Sequence, residues 1–374
     1  MEIYYERKQC IFCNSINIKK YFDNNFTIPL GCSATEINNL NKYMPFNILK
    51  CNNCKTYQTQ YLGDLNIVYN YNAKPYGNIR NKMYDLFVDF ILDNNNINKI
   101  LEIGGGSGAL CDMIINKKYI DYTIVDPSYS GENLKINIIN DFFENIDDND
   151  NLFNCDTIIM SHVFEHFYEP LKIIEKIYKN NKIKYIYINH PELENFIKDD
   201  TYLVLNPEHT FYIENQFLEK LFLKYGFKLC RKYNHMNFAI FFEFERISYN
   251  INNDIILYNY NSDNDINIFF ENIHNRVNKI NNIIENLSKD IYIYIWPCSM
   301  HTTYLLTFGL NKDLLKGVLD NSKDKIGKYL YGTNLLCLSF EETINKNNKI
   351  AIILNGGVYN QEININKDNI IIIS

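Results

Sequence analysis

The sequence predicts an α/β fold with a doubly wound, largely parallel sheet, preceded by a small cysteine-bearing lobe and followed by a second α/β domain. Three observations support this prediction. Two C-x-x-C pairs come first, a glycine-rich turn then interrupts an apolar run at residues 99–110, and apolar runs of strand and helix length alternate after it. Such alternation is typical of βαβ units, which place neighbouring strands in parallel. We expect a lobe at 1–80, a central domain at 81–240 and a C-terminal domain at 241–374.

Composition excludes several classes of protein. The 374 residues are 46% hydrophobic and 22% charged, an ordinary globular balance. The net charge is −7 and the basic residues are dispersed, whereas nucleic-acid binding needs a basic face. The sequence shows neither a membrane-length apolar run nor a signal-peptide pattern at its first residues. We therefore expect a cytoplasmic protein with a small-molecule substrate, no nucleic-acid or membrane partner, and cysteines that are thiols or metal ligands.

The two C-x-x-C pairs are Cys10 with Cys13 and Cys51 with Cys54. Each pair lets two thiolates bind one ion from a tight turn, and two pairs complete a tetrahedral zinc site. The alternative is that both are chance pairs of buried cysteines. Four cysteines leave no open coordination position, so we expect a structural zinc ion that stabilises a segment too small for its own core. Cys32 has no partner at this spacing, and we expect it to be a buried apolar residue.

A tyrosine-rich stretch joins the lobe to the central domain and contains Tyr69, Tyr71 and Tyr76. These side chains either place hydroxyl groups in a pocket or serve only as packing groups, and the sequence favours neither role. A helical pattern of apolar residues follows, from Met83 to Ile91.

The glycine-rich turn has the spacing of a nucleotide- or nucleoside-binding loop, because glycine lets a backbone approach a ligand closely. Gly104, Gly106 and Ala109 satisfy G-x-G-x-x-G/A, which by itself fits NAD, FAD or S-adenosylmethionine (SAM). Glu102 and Gly108 extend the pattern to E-x-G-x-G-x-G, which resembles motif I of class I SAM-dependent methyltransferases. The resemblance implies a Rossmann-like sheet that binds SAM at this turn, with Glu102 facing the amino end of the cofactor.

Acidic residues follow the next two predicted strands. Asp126 ends the second strand about 20 residues beyond Gly106, where an acidic side chain binds the ribose hydroxyls of an adenosine-bearing cofactor. The alternative is a turn aspartate before a proline. Asp141 follows the third strand and precedes an aromatic pair. The methyltransferase resemblance implies that Asp141 contacts the adenine.

Three further polar residues, His162, Glu165 and His166, follow the fourth predicted strand. Side chains at the carboxyl ends of parallel strands line the ligand crevice of such sheets. His162 and His166 have the spacing of a metal-binding pair but lack a third ligand in view, so we expect hydrogen-bonding roles, with His162 on the cofactor side. Far along the chain, Glu208 and His209 precede an aromatic strand, a suitable position for a substrate-side base. The alternative for His209 is a buried histidine that bonds to the backbone.

The order of these motifs resembles that of the sugar C-methyltransferases, which act on nucleotide-linked keto sugars. The resemblance covers roughly residues 8–235 and is carried by Cys51-Asn-Asn-Cys54-Lys-Thr-Tyr-Gln, Leu101-Glu-Ile-Gly-Gly-Gly-Ser-Gly, Val125-Asp-Pro-Ser, His162-Val-Phe-Glu-His and Pro207-Glu-His-Thr-Phe-Tyr. It implies that His209 is the general base, that Glu208 supports it, and that His166 lines the substrate pocket. In this family a linker tyrosine also enters the site.

The resemblance implies methyl transfer from SAM to a carbon next to a ketone in an activated sugar. A positioned base with a pKa near neutrality removes such a proton when a polar neighbour stabilises the enolate, and histidine suits that role. One alternative is an O- or N-methyltransferase on a related carbohydrate, in which His209 deprotonates a hydroxyl. Another is a non-catalytic zinc-ribbon binding module. The intact Glu102, glycines and Asp126 weigh against the binding module.

The last third of the chain predicts a second α/β unit. Apolar residues at helical spacing between residues 265 and 289 predict a helix, and strands are predicted at Ile291–Trp296, Leu315–Asp320 and Ile350–Leu354. In the sugar C-methyltransferases a domain of this kind helps to hold the nucleotide part of the substrate. Here the residues from Trp296 to His301 replace the expected glycine-rich loop. We therefore expect a changed substrate.

Overall fold

The computed structural model of the chain describes residues 4–22, 27–29, 34–35, 43–69, 78–132, 135–147, 151–199, 208–235, 239–252, 257, 266–346, 349–365 and 370–374. The residues discussed above that lie outside this part are Cys32, Tyr71, Tyr76 and Pro207. No helix in the described part is long and apolar enough to cross a membrane.

The N-terminal lobe consists of short strands, because its apolar runs are short and are interrupted by polar residues. Its two cysteine pairs lie in tight turns, at residues 10–13 and 51–54. The elements are β1 (Tyr4–Glu6), β2 (Ile18–Phe22), β3 (Thr27–Pro29), β4 (Ala34–Thr35), β5 (Tyr43–Pro45), β6 (Ile48–Cys51), β7 (Tyr57–Thr59), β8 (Tyr61–Gly63) and α1 (Leu65–Val68).

The central part alternates strands and helices, as the apolar pattern predicts. Helix α2 buries a stripe that includes Met83, Phe87 and Ile91. The elements are α2 (Asn78–Leu92), β9 (Lys99–Ile103), α3 (Ala109–Lys117), β10 (Asp121–Val125), β11 (Asn137–Ile139), β12 (Thr157–Ser161), α4 (Pro170–Lys179), β13 (Tyr185–Pro191), α5 (Leu193–Asp199), β14 (Phe211–Tyr212), α6 (Asn215–Lys224), β15 (Phe227–His235) and β16 (Ala239–Arg246).

Seven of these strands form one sheet in the order β11-β10-β9-β12-β13-β16-β15. The first five are parallel neighbours, whereas β16 runs antiparallel to both β13 and β15. The strand order reverses between β9 and β12, and ligands bind at such a switch point, beyond the carboxyl ends of the strands. The predicted doubly wound, class I methyltransferase fold is therefore confirmed.

The C-terminal part contains a second, entirely parallel sheet in the order β20-β18-β17-β21-β22. The long helix α7 has a buried apolar stripe, as the sequence predicts. The elements are α7 (Ile266–Glu285), β17 (Tyr292–Trp296), α8 (Met300–Thr307), β18 (Leu315–Asp320), β19 (Tyr329–Leu330), β20 (Cys337–Ser339), α9 (Phe340–Ile344), β21 (Ile350–Leu354) and β22 (Ile370–Ile373).

Contacts across the expected boundaries join the three parts. Strand β14 belongs to the central segment but pairs with β7 of the lobe, and β19 of the C-terminal part pairs with β4. The Ile79 N–H at the start of α2 donates to Glu362 Oε1 at 3.3 Å. The three-domain division remains a prediction, and the pairing of β14 carries the segment around His209 onto the lobe.

Candidate active site and metal site

The glycine turn between β9 and α3 adopts a backbone that only glycine takes without strain. Gly104 and Gly106 have φ values of 73° and 55°. A Cβ on Gly104 would lie 2.3 Å from Val163 Cγ2, so this position also requires close approach to the loop after β12. A Cβ on Gly106 would meet no heavy atom within 4 Å. The turn therefore leaves open space above Gly106, as close approach of a ligand requires.

Asp126 ties the end of β10 to this turn. Its Oδ2 accepts the Gly106 N–H at 2.8 Å, and its Oδ1 accepts the Ser128 N–H at 2.7 Å. The side chain is buried. Each carboxylate oxygen has more than one lone pair, so Asp126 can also accept bonds from ribose hydroxyls. These contacts fit the predicted binding of SAM at the turn.

Glu102 lies one strand away, on the face of β9 that meets α2 and α3, and is 2% exposed. The Tyr122 hydroxyl donates a hydrogen bond to its Oε2 at 2.8 Å. Burial raises the pKa of Glu102 to about 7, and the hydrogen bond from Tyr122 opposes this shift only in part. A cationic ligand group would favour the ionised form, which suits the predicted contact with the amino end of SAM.

The other two predicted cofactor residues, Asp141 and His162, lie in loops that follow β11 and β12. Asp141 Oδ1 accepts the Phe142 N–H at 2.7 Å and the Asn145 side-chain amide at 2.8 Å, which fixes the turn after β11. His162 has a left-handed backbone with φ 54°, and burial lowers its pKa to about 4. His162 is therefore neutral at physiological pH. The roles of both residues in cofactor binding remain predictions.

Glu165 is the centre of a histidine cluster. Its side chain is 1% exposed, and its carboxylate oxygens lie within 4.0 Å of a ring nitrogen on each of four histidines. The distances are 3.5 Å to His162 Nδ1, 4.0 Å to His166 Nε2, 3.4 Å to His190 Nδ1 and 3.8 Å to His209 Nε2. One buried carboxylate therefore faces histidines from three separate chain segments.

The charge of Glu165 is stabilised by these rings. Burial by itself raises the pKa of the carboxyl group, but the neighbouring imidazoles, chiefly those of His162 and His190, outweigh this effect and hold the pKa well below its usual range. An ionised carboxylate orients an imidazole and stabilises its protonated form. Glu165 can therefore fix the tautomer of His209 and support its protonation.

The His209 segment is held from two sides. The Thr210 N–H donates to Glu165 O at 2.9 Å, and the Thr210 hydroxyl donates to Phe167 O at 2.6 Å. From the lobe, the Thr59 N–H and the Arg7 guanidinium both donate to Thr210 O. The lobe thus fixes the position of His209 relative to Glu165.

His166 joins the same site and contacts Tyr69, one of the three tyrosines of the linker. The Tyr69 hydroxyl lies 3.0 Å from His166 Nδ1, and Glu208 Oε2 lies 3.8 Å from the same nitrogen. The rings of His166 and His209 have their centroids 5.1 Å apart. The structure therefore brings together all three predicted catalytic residues, His209, Glu208 and His166. It places Tyr69 beside them, while Tyr71 and Tyr76 lie outside the described residues.

No individual role for Glu165 or His190 was predictable from the sequence. Glu165 lies in the predicted His-Val-Phe-Glu-His motif, and His190 lies near the carboxyl end of β13, which neighbours β12. The sequence feature that could have identified His190 is its position near the carboxyl end of a strand, where side chains line the ligand crevice. The structure does not complete the pair of His162 and His166 considered from the sequence: the three residues with ligand atoms within 4.8 Å of one another are Glu165, His166 and His209.

The four lobe cysteines form a second cluster. Cys10 Sγ lies 3.4 Å from Cys54 Sγ, Cys13 Sγ lies 3.5 Å from Cys51 Sγ, and all four sulfur atoms lie within 4.8 Å of one another. Tetrahedral zinc with Zn–S bonds of about 2.3 Å has sulfur–sulfur edges of about 3.8 Å. The donor set and its spacing are compatible with zinc.

A comparison with models of protein families agrees with this fold. Residues 76–232 match a family model described as a methyltransferase domain. The comparison with curated proteins found no match. Similar solved structures include the magnesium protoporphyrin IX methyltransferase of Synechocystis PCC 6803 (14% identity, TM-score 0.36, 47% of this chain and 90% of that chain covered) and the plantazolicin methyltransferase BpumL (13% identity, TM-score 0.35, 46% and 84% covered). The strand order, the glycine turn and the family match together show that the chain carries a class I SAM-dependent methyltransferase domain and is an enzyme of that class.

Proposed function

We propose that the chain transfers a methyl group from SAM to a carbon next to a ketone in a nucleotide-activated sugar, with His209 as the general base. The observation that carries the proposal is the position of His209 Nε2, 3.8 Å from the buried, ionised carboxylate of Glu165. A buried carboxylate behind a histidine is the arrangement that raises its basicity and fixes its tautomer. The resemblance to the sugar C-methyltransferases over roughly residues 8–235 suggests the substrate class.

The proposed chemistry begins with a proton on carbon. In the tautomer that carries its proton on Nε2, facing Glu165, His209 has its lone pair on Nδ1, which takes the α proton of the keto sugar. The electron pair of the broken C–H bond passes into the enolate. Bound SAM supplies an electrophilic sulfonium methyl group. The enolate carbon would bond to this methyl carbon as the sulfur–methyl bond breaks, which would regenerate the ketone and release S-adenosylhomocysteine.

Three side chains lie near His209: His166, whose ring is beside that of His209, and Tyr69 and Glu208, which contact His166. We propose that Tyr69 and His166, whose hydroxyl and Nδ1 atoms are 3.0 Å apart, stabilise the enolate oxygen by hydrogen bonding. Burial is the largest cause of a Tyr69 pKa well above its usual range, so the hydroxyl keeps its proton and remains a donor. Glu208, 3.8 Å from His166, would orient that ring.

We also propose that Cys10, Cys13, Cys51 and Cys54 hold a structural zinc ion. The four sulfur atoms come from two turns and lie within 4.8 Å of one another, and this spacing supports the proposal. The ion would stabilise the lobe and, through β7, the segment around His209.

Solvent exchange tests the role of His209. The wild-type enzyme, given S-adenosylhomocysteine and a nucleotide-linked keto sugar in deuterated water, should exchange the α proton faster than the spontaneous rate. His209→Asn should slow this catalysed exchange by roughly 10²–10⁴, the usual contribution of a positioned base. The affinity for S-adenosylhomocysteine, measured by calorimetry, should not change.

His274→Asn is the matched control, because His274 lies on α7 and packs against Phe308 in the C-terminal part. This control should exchange at the wild-type rate. An O-methyltransferase has no reason to catalyse exchange at carbon. Methyl transfer without catalysed exchange in the wild type, or full exchange in His209→Asn, would overturn the proposed mechanism.

A further inference from the structure

The carboxylate of Glu165 lies among imidazoles without a direct hydrogen bond to any of them. Its side chain is 1% exposed, and among the described residues neither of its oxygens makes a hydrogen bond of normal geometry. Oε1 lies 4.0 Å from His166 Nε2 and 3.8 Å from His209 Nε2, which is too far for an N–H···O bond. A buried carboxylate oxygen without a bonded partner is costly, so a group that bridges these three atoms would be favourable.

The same three atoms have the spacing of a metal site. The ligand atoms of Glu165, His166 and His209 lie within 4.8 Å of one another. Ligands about 2.1 Å from a tetrahedral ion are about 3.4 Å apart. The carboxylate oxygen and the two ring nitrogens therefore need to approach one another by only about half an ångström, which small rotations of the side chains provide.

The outer contacts of the site also suit metal binding. An imidazole that binds a metal through one nitrogen carries its proton on the other, which usually faces a carboxylate or another oxygen. The outer nitrogen of His166, Nδ1, lies 3.0 Å from the Tyr69 hydroxyl and 3.8 Å from Glu208 Oε2. The Thr210 N–H, next to His209, donates to Glu165 O at 2.9 Å. The inner nitrogen of His166 thus faces the carboxylate, and the two ligand segments are fixed to each other.

Two imidazoles and one carboxylate select the class of ion. Zn²⁺, Co²⁺ and Ni²⁺ accept such a mixed set of ligands, whereas Ca²⁺ and Mg²⁺ prefer sites built from oxygen. Three protein ligands leave one coordination position open. Because three such ligands bind less tightly than the four thiolates of the lobe, we expect a weaker site that fills when metal is added.

We propose that Glu165, His166 and His209 form a second metal site, which takes a divalent transition-metal ion and inhibits the enzyme when it is filled. An ion on His209 Nε2 forces the ring proton onto Nδ1, the atom that takes the substrate proton in the proposed mechanism. The inhibition rests on the proposed function of His209, whereas the binding of the ion rests on the geometry alone.

The test uses Co²⁺ as the probe, on wild-type protein whose lobe cysteines have first been loaded with zinc. Titration with Co²⁺, followed by visible absorption and calorimetry, should show one bound ion per chain with the weak ligand-field bands of nitrogen and oxygen ligands. His166→Asn should bind Co²⁺ more weakly by more than about a hundredfold, because loss of a ligand costs more than the 10–100-fold for loss of a ligand's outer partner. His274→Asn, in the C-terminal part, is the matched control and should bind Co²⁺ as the wild type does.

Catalysed exchange of the substrate α proton connects the site to activity. One equivalent of Co²⁺ should slow exchange in the wild type by roughly 10²–10⁴, as His209→Asn does, because both remove the base. A chelator should restore the rate. The residual exchange of His166→Asn should be insensitive to Co²⁺, which excludes binding of the ion to the diphosphate of the substrate as the cause.

The outcomes separate this proposal from the proposed function. No Co²⁺ binding, binding with only thiolate-to-cobalt charge-transfer bands, or equal binding by the wild type and His166→Asn would overturn the metal site and leave the proposed function intact. Co²⁺ bound at the site with unchanged exchange would overturn the inhibition and, with it, the role of His209 as the base. Exchange that requires Co²⁺ would also overturn the inhibition, because the ion would then be an activator.

Discussion

The two sides of the crevice are built in different ways. The cofactor side is formed by consecutive elements, from Glu102 in β9 through the glycine turn to Asp126 after β10. The histidine side combines residues from the linker, the end of β12 and the segment before β14, with Glu165 and His209 facing each other at 3.8 Å. The cofactor side is thus fixed by local backbone geometry, whereas the histidine side depends on long-range contacts with the lobe. Changes in the lobe should therefore affect turnover far more than SAM binding.

The difference between the cofactor side and the histidine side is tested most strongly by Glu165→Gln, for which we expect the largest effect. It removes the charge that supports His209 and leaves the size of the side chain almost unchanged. Turnover should fall by roughly 10²–10⁴, as for other carboxylates that orient a histidine base. The dissociation constant of SAM should stay within about twofold of the wild type, because the turn and Asp126 are intact.

Glu243→Gln is a suitable control for this variant. Glu243 is also a buried carboxylate, but it bonds to Tyr187 and Arg231 on the other half of the sheet. It should lower stability and leave turnover per folded enzyme unchanged. If Glu165→Gln lost SAM affinity but kept normal turnover at saturation, Glu165 would belong to the cofactor side and not to the histidine side.

A lobe variant, Cys51→Ser, should cause the next largest effect. The wild-type protein should contain one zinc ion per chain by elemental analysis, and Cys51→Ser should contain none. Because loss of a metal is among the severe single changes, we expect unfolding free energy to fall by about 4 kcal/mol. Turnover should fall with it, whereas the SAM affinity of the folded fraction should be retained.

Cys230→Ser provides the same chemical change at an exposed cysteine outside the cluster and should behave as the wild type. A zinc-free wild-type protein would refute the structural ion. A second metal equivalent that survives in Cys51→Ser would place an ion at Glu165, His166 and His209, the other described group with three ligand atoms in reach.

The pKa of Glu102 gives a pH test of the cofactor side. The folded protein holds this proton more tightly than the unfolded chain, because the pKa is raised from 4.5 to about 7. Without ligand, the contribution of Glu102 to stability is thus fully present below about pH 4.5 and is lost as the pH rises through about 7. Glu102→Gln removes the cost of ionising this buried carboxyl group. In the ligand-free protein, the effect of the substitution on the free energy of unfolding should therefore be more favourable at about pH 8 than at about pH 5, by up to about 3 kcal/mol.

The same variant should bind SAM more weakly, since it lacks the anion that faces the ammonium group. Thermal unfolding at both pH values, with and without SAM, measures both effects, and Glu245→Gln on a solvent-exposed site of β16 is the control. Equal changes in stability at both pH values would show that Glu102 does not titrate in this range.

The smallest effect is expected from Asp126→Ala. It removes bonds to the ribose that are worth about 1.5–3 kcal/mol, and calorimetry should show the corresponding loss of SAM affinity. Asp121→Ala, at the exposed start of the same strand, should have no such effect. Unchanged affinity in Asp126→Ala would place the ribose elsewhere.

The sequence predicted most of the cofactor side and the strand pattern because these depend on local spacing. The glycines, Asp126 and most strands of the two sheets follow from apolar runs and turn residues that are contiguous in the chain, whereas β16, β20 and β22 were not predicted. The role of Glu165 was not predictable in this way, since its partners His190 and His209 come from other segments.

Locating the transferred methyl group tests the central claim most directly. The enzyme is incubated with a panel of nucleotide-linked keto sugars and SAM whose methyl carbon is isotopically labelled, and the products are analysed by mass spectrometry and NMR. We predict a product in which the labelled carbon couples directly to the ring carbon next to the ketone. A labelled carbon attached to oxygen or nitrogen would contradict the account.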